Sequence, residues 1–319
     1  MPGEREGNMA QSVTPAVLAG ALTSFRTVFN GAFEAAMSGL AGAWRNIAME
    51  VQSNSAIEQH VWLGTVPQMV DVTSGDFQVE HLYAFDYSIT NATWKSYFEV
   101  PRAFFEDDKL ALVRPKIAQL AQEAARHPGQ LLFNLPISNP LAFDGVALIA
   151  DTRVIGRSAN VDNQIAGSGT TVAQFQADLA AAGAQMMLFQ DDQGRPMGLQ
   201  GNWIMVPPAL RQTAFQALNA NQGAGLVNIV APPGSVLGAE EGYRIIVNHL
   251  LTDPNDWYLL HVQDGFSPFI YQTRIPPSLE PLTEGTDAAI RADRFLFGVR
   301  ARYQVGVGDP RHIVKTTNT

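Results

Sequence analysis

From Phe77 the chain alternates. Phe77, Val79, His81, Tyr83, Phe85, Tyr87 and Ile89 share one parity; Gln78, Glu80, Ala84, Asp86, Ser88 and Thr90 share the other, with Leu82 the exception. Period-two alternation rich in aromatics constrains the backbone to an extended strand. Thr90–Thr93 interrupts it as a turn or bulge, and Trp94, Ser96, Phe98 and Val100 carry a second run. An isolated two-stranded ribbon is marginal in water. An aromatic face this long therefore needs a partner surface, either the chain's own core or another subunit. After Pro101–Asp108, Leu110, Val113, Ile117, Leu120, Ala121 and Ala124 recur at helical spacing, which predicts an amphipathic helix from about Lys109. Pro115 starts that helix late or bends it. His127-Pro128-Gly129 is expected to kink or stop it, with Gln130–Asn134 resuming it.

Composition narrows the function. With 319 residues and 46% hydrophobic content, the chain can bury one large domain or two subdomains. A net charge of −9 argues against a dedicated nucleic-acid binder, which needs clustered Lys and Arg. It does not bar a shell that encloses DNA. The absence of cysteine excludes disulfides, thiolate catalysis and cysteine metal sites. No apolar run reaches membrane-spanning length, and the polar start of the chain has no signal-peptide core, so the product is expected to stay in the cytoplasm of the cell that makes it.

Thr14-Pro15 is a helix start, and apolar residues from Val17 to Ala36 predict one or two helices to about Ser53. Val146–Ala150 reads as a short buried strand after the Phe143-Asp144-Gly145 turn. Arg153–Thr170 reads as a polar surface loop. Thr171 caps a helix expected to stop at Gly183, and Asp191–Pro196 is a turn. Trp203–Val206, Val227–Val230, Tyr243–Leu251 and Trp257–Val262 read as strands, with a helix over Ala209–Ala220. Pro276-Pro277 is expected to break the strand begun at Phe269. From Phe295 to Val307 the alternation returns, with Arg294, Arg300 and Arg302 opposite the apolar parity; His312–Lys315 is a last strand.

Catalytic patterns are missing. The six histidines have no metal-ligand spacing; His249 and His261 read as lying on neighbouring strands, within reach of facing each other, with ordinary packing or hydrogen bonding the better account than a metal site. Adjacent carboxylates at Asp107-Asp108, Asp191-Asp192 and Glu240-Glu241 suit loop solvation or capping better than acid/base work. Gly167-Ser168-Gly169-Thr170 lacks a Walker lysine, and no Gly-x-Ser-x-Gly elbow occurs. No cofactor or metal is expected. A soluble α/β enzyme would predict convergent polar residues at strand ends, and none stand out.

Trp62-Leu63-Gly64 with Pro67, then Tyr87–Val100, then Pro101–Asp108 leading into the Lys109 helix, resembles the major head subunit of Mu-like phages, a branch of the Hong Kong 97 phage capsid fold. The resemblance runs in order from about Trp62 to Thr316. It implies an α+β Hong Kong 97-like capsid fold: an N-terminal arm (1–60), an extended β-hairpin loop (61–100), a peripheral domain with a long spine helix (101–185), a mainly axial domain (186–275) and a return to the peripheral domain (276–319). The arm is expected to lie along a neighbouring subunit rather than pack as a core hairpin. The implied function is self-assembly into hexamers and pentamers of an icosahedral head. That head encloses double-stranded DNA without sequence-specific binding, is assembled in the host cytoplasm and needs no membrane. A separate scaffolding protein, a portal and decoration proteins are the implied partners. An encapsulin-like shell is the alternative on the same fold. Trp62, Phe77, Tyr83, Phe85, Tyr87, Trp94 and Lys95 are the expected inter-subunit contacts. Some shells of this fold carry Lys–Asn cross-links, and Lys95 is the lysine placed for one, although a solvated or salt-bridging lysine is the better account.

Overall fold

The computed structural model describes residues 15–63, 84–107, 109–219, 242–263, 265–282 and 293–318. It falls into two units, residues 1–43, 91–129 and 273–303 forming one and residues 44–90, 130–272 and 304–319 the other.

The first unit is built on aromatic packing. Helix α1 (Pro15–Ser38) buries Leu18, Ala21, Phe25 and Phe29, one stripe at three- and four-residue spacing. Phe25 sits edge-on to Phe297, 5.3 Å between centroids, and Phe105 meets Phe295 at 5.0 Å. Phe105 belongs to the short helix α2 (Ala103–Glu106); Phe295 and Phe297 belong to β10 (Arg294–Val307). Strand β4 (Ala92–Pro101) pairs antiparallel with β10, Val100 opposite Phe295 and Phe98 opposite Phe297. Strand β9 (Phe269–Leu282) flanks β10 on its other side, and β1 (Ala48–Gln52) belongs to the second unit. Helix α3 (Leu110–Ser138) adds Val113, Ile117, Ala121 and Ala124 to the same core. Each fully buried Phe contributes about 1.5–3 kcal/mol of transfer free energy.

Several expectations change here. The apolar face of α1, expected along a neighbour, is buried in the chain's own unit, with Phe29 at 0% exposure. Thr14 lies outside the described residues. Helix does not continue to Ser53: a 3-10 segment, Leu40–Ile47, leads into β1. Gly42 passes so close to the Met37 carbonyl that a Cβ would sit 1.8 Å from its oxygen, so only glycine permits that bend. The α3 helix does not end at His127-Pro128-Gly129 but runs on to Ser138. Each proline forfeits one helical hydrogen bond, and the continuous buried stripe offsets the loss. Strand β9 likewise runs through Pro276-Pro277, whose fixed φ is compatible with extended backbone although their missing N–H groups are lost to the ladder.

The second unit holds a five-stranded sheet in the order β5-β11-β8-β6-β7. These strands are β5 (Gln164–Ala166), β6 (Trp203–Val206), β7 (Arg244–Val247), β8 (Trp257–Leu260) and β11 (Ile313–Thr317). Helices α4 (Val172–Met187) and α5 (Arg211–Asn219) pack on it, Phe175 lying 4.7 Å from Trp257. The expected Thr171 cap is present as a full capping box with Gln174. Gly183 does not stop α4, which continues through it. Val227–Val230 lies outside the described residues. Because β6 separates β7 from β8, His249 and His261 do not face each other; the His261 ring instead meets His312 at 5.1 Å. Two further strands, β2 (Ile57–Leu63) and β3 (Ala84–Thr90), pair with each other alone among the described residues.

Polar residues read from sequence as surface are structural here. Residues 146–150 form no strand beyond a single Leu141–Ala147 bridge, and their carbonyls need donors. Arg153, 1% exposed, supplies them: its guanidinium pairs with Asp144 at 2.7 Å and donates to the carbonyls of Val146, Ala147 and Leu148. Asn163, also buried, donates to the carbonyls of Leu148 and Pro310 and accepts from the Ala150 N–H. Asp191 is buried too and accepts from the Gln193 and Arg195 backbone and the Arg195 side chain. Arg311 grips Asp309 through Nε and Nη2 at 2.7–3.0 Å, both under 5% exposed. Burial pushes the Asp309 carboxyl up, but the Arg311 charge and hydrogen bonds outweigh it and hold it below the ordinary value. Burial drives the adjacent His312 down to about 4, against the pull of Asp309.

Two outcomes are expected. Arg153→Met leaves Asp144 buried and unpaired and should cost about 3–5 kcal/mol in denaturant unfolding, with Asp144→Leu in the same chain restoring part of it. His312 stays neutral when folded, whereas the unfolded chain binds a proton below its ordinary 6.5. Stability should therefore fall by about 3 kcal/mol as pH drops from about 6.5 towards 4. Thermal unfolding across that window checks this, and His312→Gln should flatten the slope.

Candidate inter-subunit contact surface

The ribbon pairs in strict register: Ile57 with Thr90, Glu58 with Ile89, His60 with Tyr87, Trp62 with Phe85 and Leu63 with Ala84. Cross-strand partners share a face. Glu58, His60, Tyr87 and Ile89 therefore form one face, and Ile57, Gln59, Ser88 and Thr90 the other. The expected hairpin of residues 61–100 is paired differently. Strand β3 takes β2 as its partner, and β4 turns away at buried Asn91 to pair with β10.

The base of the ribbon is anchored within its own unit. Ile89 is 4% exposed, and its Cδ1 fills the space beside Gly306, where a Cβ would lie only 2.5 Å away. The Tyr87 hydroxyl accepts from the Val307 N–H at 3.1 Å. His60 Nε2 meets Gln272 Oε1 at 2.7 Å, and the Gln272 amide donates to the Ile89 carbonyl at 3.2 Å. Glu58 accepts from the hydroxyls of Ser53 and Ser55, which hold its carboxyl below the ordinary value. Beyond Tyr87 the register continues to Trp62 opposite Phe85 and Leu63 opposite Ala84; Phe77 and Tyr83 lie outside the described residues.

Trp94 and Lys95 stand apart from the ribbon, on β4, and adjacent strand residues face opposite ways. Trp94 lies on the inner face. Its Nε1–H donates to the Tyr303 carbonyl at 3.0 Å, and its ring lies tilted 4.5 Å from the His127 ring. His127 Nδ1 lies 2.6 Å from the Tyr303 hydroxyl, and burial lowers the pKa of its ring. Lys95 is exposed on the outer face, directly opposite Arg300. Beside it Tyr97 covers Gly298, where a Cβ would lie 2.1 Å from the tyrosine ring, and donates to Glu280 at 3.3 Å. Tyr97, Gly298 and Glu280 escape a sequence reading because their contact joins three strands distant in the chain. The residues expected as one contact set thus divide into Trp62 and Phe85 beyond the ribbon base, Tyr87 at its anchor, Trp94 inside a unit and Lys95 on another face.

Among the described residues no group of three or more His, Asp or Glu is arranged to hold a metal, and no helix is long and apolar enough to cross a membrane. Tyr87→Phe leaves the Val307 N–H without its acceptor and should cost about 1 kcal/mol. Thermal unfolding reads that cost, and hydrogen exchange at the Val307 amide should quicken.

The family model for the Mu-like prophage major head subunit gpT matches residues 22–175, 164–232 and 235–318. The major capsid protein of Escherichia phage Mu is 33% identical over 123 residues, a match covering 39% of this chain and 39% of that protein. The Mu-like prophage FluMu major head subunit of Haemophilus influenzae is 22% identical over 300 residues, covering 93% of this chain and 72% of the relative. Among solved structures, the procapsid of bacteriophage JBD30 superposes with a TM-score of 0.56 at 21% identity, covering 96% of this chain and 77% of that one. That likeness shows the Hong Kong 97-like capsid fold.

Proposed function

Because this chain belongs to the Mu-like prophage major head subunit family, and is a capsid protein and not an enzyme, we propose that its copies close into hexamers and pentamers of an icosahedral head around double-stranded DNA. The observation that carries the geometry is the β2–β3 ribbon. Among the described residues it is a two-stranded sheet with no third strand, anchored at one end by Ile89, Tyr87 and His60. Two strands alone do not bury enough to be stable in water. The segment past the anchor, with Trp62 and Phe85 paired and Phe77 and Tyr83 beyond them in sequence, therefore takes its partner surface from a neighbouring subunit. Tyr87 and Trp94 support that contact by fixing the elements it springs from.

The domain plan follows the same reading. Residues 101–138 with α3 as spine and residues 276–303 belong to the peripheral domain, the five-stranded sheet with α4 and α5 is mainly axial and takes residues 164–185 and 304–319 with it, and the ribbon serves as the extended loop. The helical segment ahead of the ribbon acts as the arm, with α1 docked on its own unit. Individual contacts are modest, but many per subunit act together once a ring forms. An acidic chain of net charge −9 lines a DNA-filled shell without sticking to its contents. A scaffolding protein, a portal and decoration proteins complete the head.

Electron microscopy of the purified, overexpressed chain should show closed shells, tubes or rings. A chain whose residues 63–84 are replaced by a short Asn-Gly turn should keep its thermal transition and lose those assemblies. Unchanged assembly by the shortened chain would remove the ribbon from the mechanism.

A further inference from the structure

We propose that the outer face of the β4–β10 strand pair is a docking surface for acidic residues of a second copy of this chain; this rests on the shell reading and names one of its interfaces. In register, Thr93 faces Arg302, Lys95 faces Arg300, Tyr97 faces Gly298 and Pro101 faces Arg294. The pair's inner face is apolar, with Phe98, Val100, Phe295, Phe297 and Val299 against the core of the unit. The outer face is charged along its length.

The charges do not cancel. At one end Arg294 pairs with Glu99, both half-exposed, so that end is neutral. In the middle Arg300 lies 3.5 Å from Glu280, which also accepts from Tyr97. At the other end Lys95 and Arg302 have no carboxylate within 4 Å among the described residues, and the Arg302 Nε is shielded from solvent with no acceptor. Lys95 lies directly opposite Arg300, whose charge Glu280 answers, so Lys95 and Arg302 are the cations left over. This is an uncompensated positive patch on a chain of net charge −9. A second copy is thus an electrostatic match.

The face is also mixed in sign. Glu99 and Glu280 stand in the same row as the cations. A nucleic-acid backbone, uniformly negative, would meet both carboxylates, whereas a protein surface can place acids and bases in complementary order. Tyr97, stacked over Gly298, fixes the row's centre and adds an aromatic of the kind enriched in protein interfaces. Lys95 also sits on the edge strand of its sheet, where lysine alone would serve to block edge pairing. Glutamate blocks an edge equally well, so the charge sign separates the two roles.

The test uses the full chain. Lys95→Glu with Arg302→Glu should leave the subunit's thermal transition in place and raise the concentration needed for assembly, read by light scattering, about tenfold or more. Lys95→Glu alone, at an exposed site that cannot disturb folding through packing, should raise it about threefold. The charge-conserving Lys95→Arg with Arg302→Lys should assemble as the parent chain does. High salt should shrink the difference between parent and reversed variants. Assembly of Lys95→Glu at the parent's concentration overturns the proposal. So does a parent chain that binds a short DNA duplex in fluorescence anisotropy while the reversed variants do not, since the patch would then serve nucleic acid. A parent chain that never assembles, alone or with its scaffold, removes the shell reading itself.

Discussion

The alternation of β10 governs much of this molecule. Phe295, Phe297, Val299, Ala301 and Tyr303 are buried on one parity, and Arg294, Arg300 and Arg302 stand on the other. The inward row collects Phe25 from α1, Phe105 from α2 and the apolar stripe of α3 into one aromatic core. A slip of one residue against β4 would exchange the two rows, placing arginines in that core and phenylalanines in water. The register is therefore held by the hydrophobic effect on one side and by the cost of burying charge on the other. The same parity sets Trp94 against His127 inside the unit and turns Lys95 outward.

A second constraint is the supply of hydrogen-bond partners to irregular backbone. Residues 139–163 bury much of their chain with little secondary structure, so helix and sheet ladders cannot satisfy their peptide groups. Arg153 and Asn163 do that work, as Asp191 does for the turn that follows α4. The Asp309–Arg311 pair lies in the same unit. Buried ion pairs add little net stability against apolar packing of the same volume, but losing one partner is costly. Their contribution is to hold one loop conformation, which suits a subunit that must present the same surface in every copy.

The ribbon shows how fold and assembly meet. Its base is locked by a phenol, a buried isoleucine and a His–Gln contact, and among the described residues the β2–β3 pair has no third strand. In the proposed assembly, anchoring the base limits the directions the outer part can take and lowers the entropy lost on docking. A capsid protein needs that combination: a reach long enough to touch a neighbour and a root stiff enough to aim it.

The sequence by itself determined the periodic elements. The strand at Phe295–Val307, the helix following Asp108 and the Thr171 cap were all legible, because burial and capping leave a period or a residue type in the chain; the capsid family was legible only through its resemblance to the Mu-like head subunits. Pairing was not legible. That β3 takes β2 and leaves β4 to β10, that β6 parts β7 from β8, and that α1 packs on its own unit depend on contacts between residues far apart in sequence. The polar loops were misread for a related reason. Composition reports that Arg153, Asn163 and Asp191 are polar, but only the tertiary structure places unsatisfied carbonyls and amides around them. Local chemistry chooses the elements; the surfaces those elements must share choose the fold.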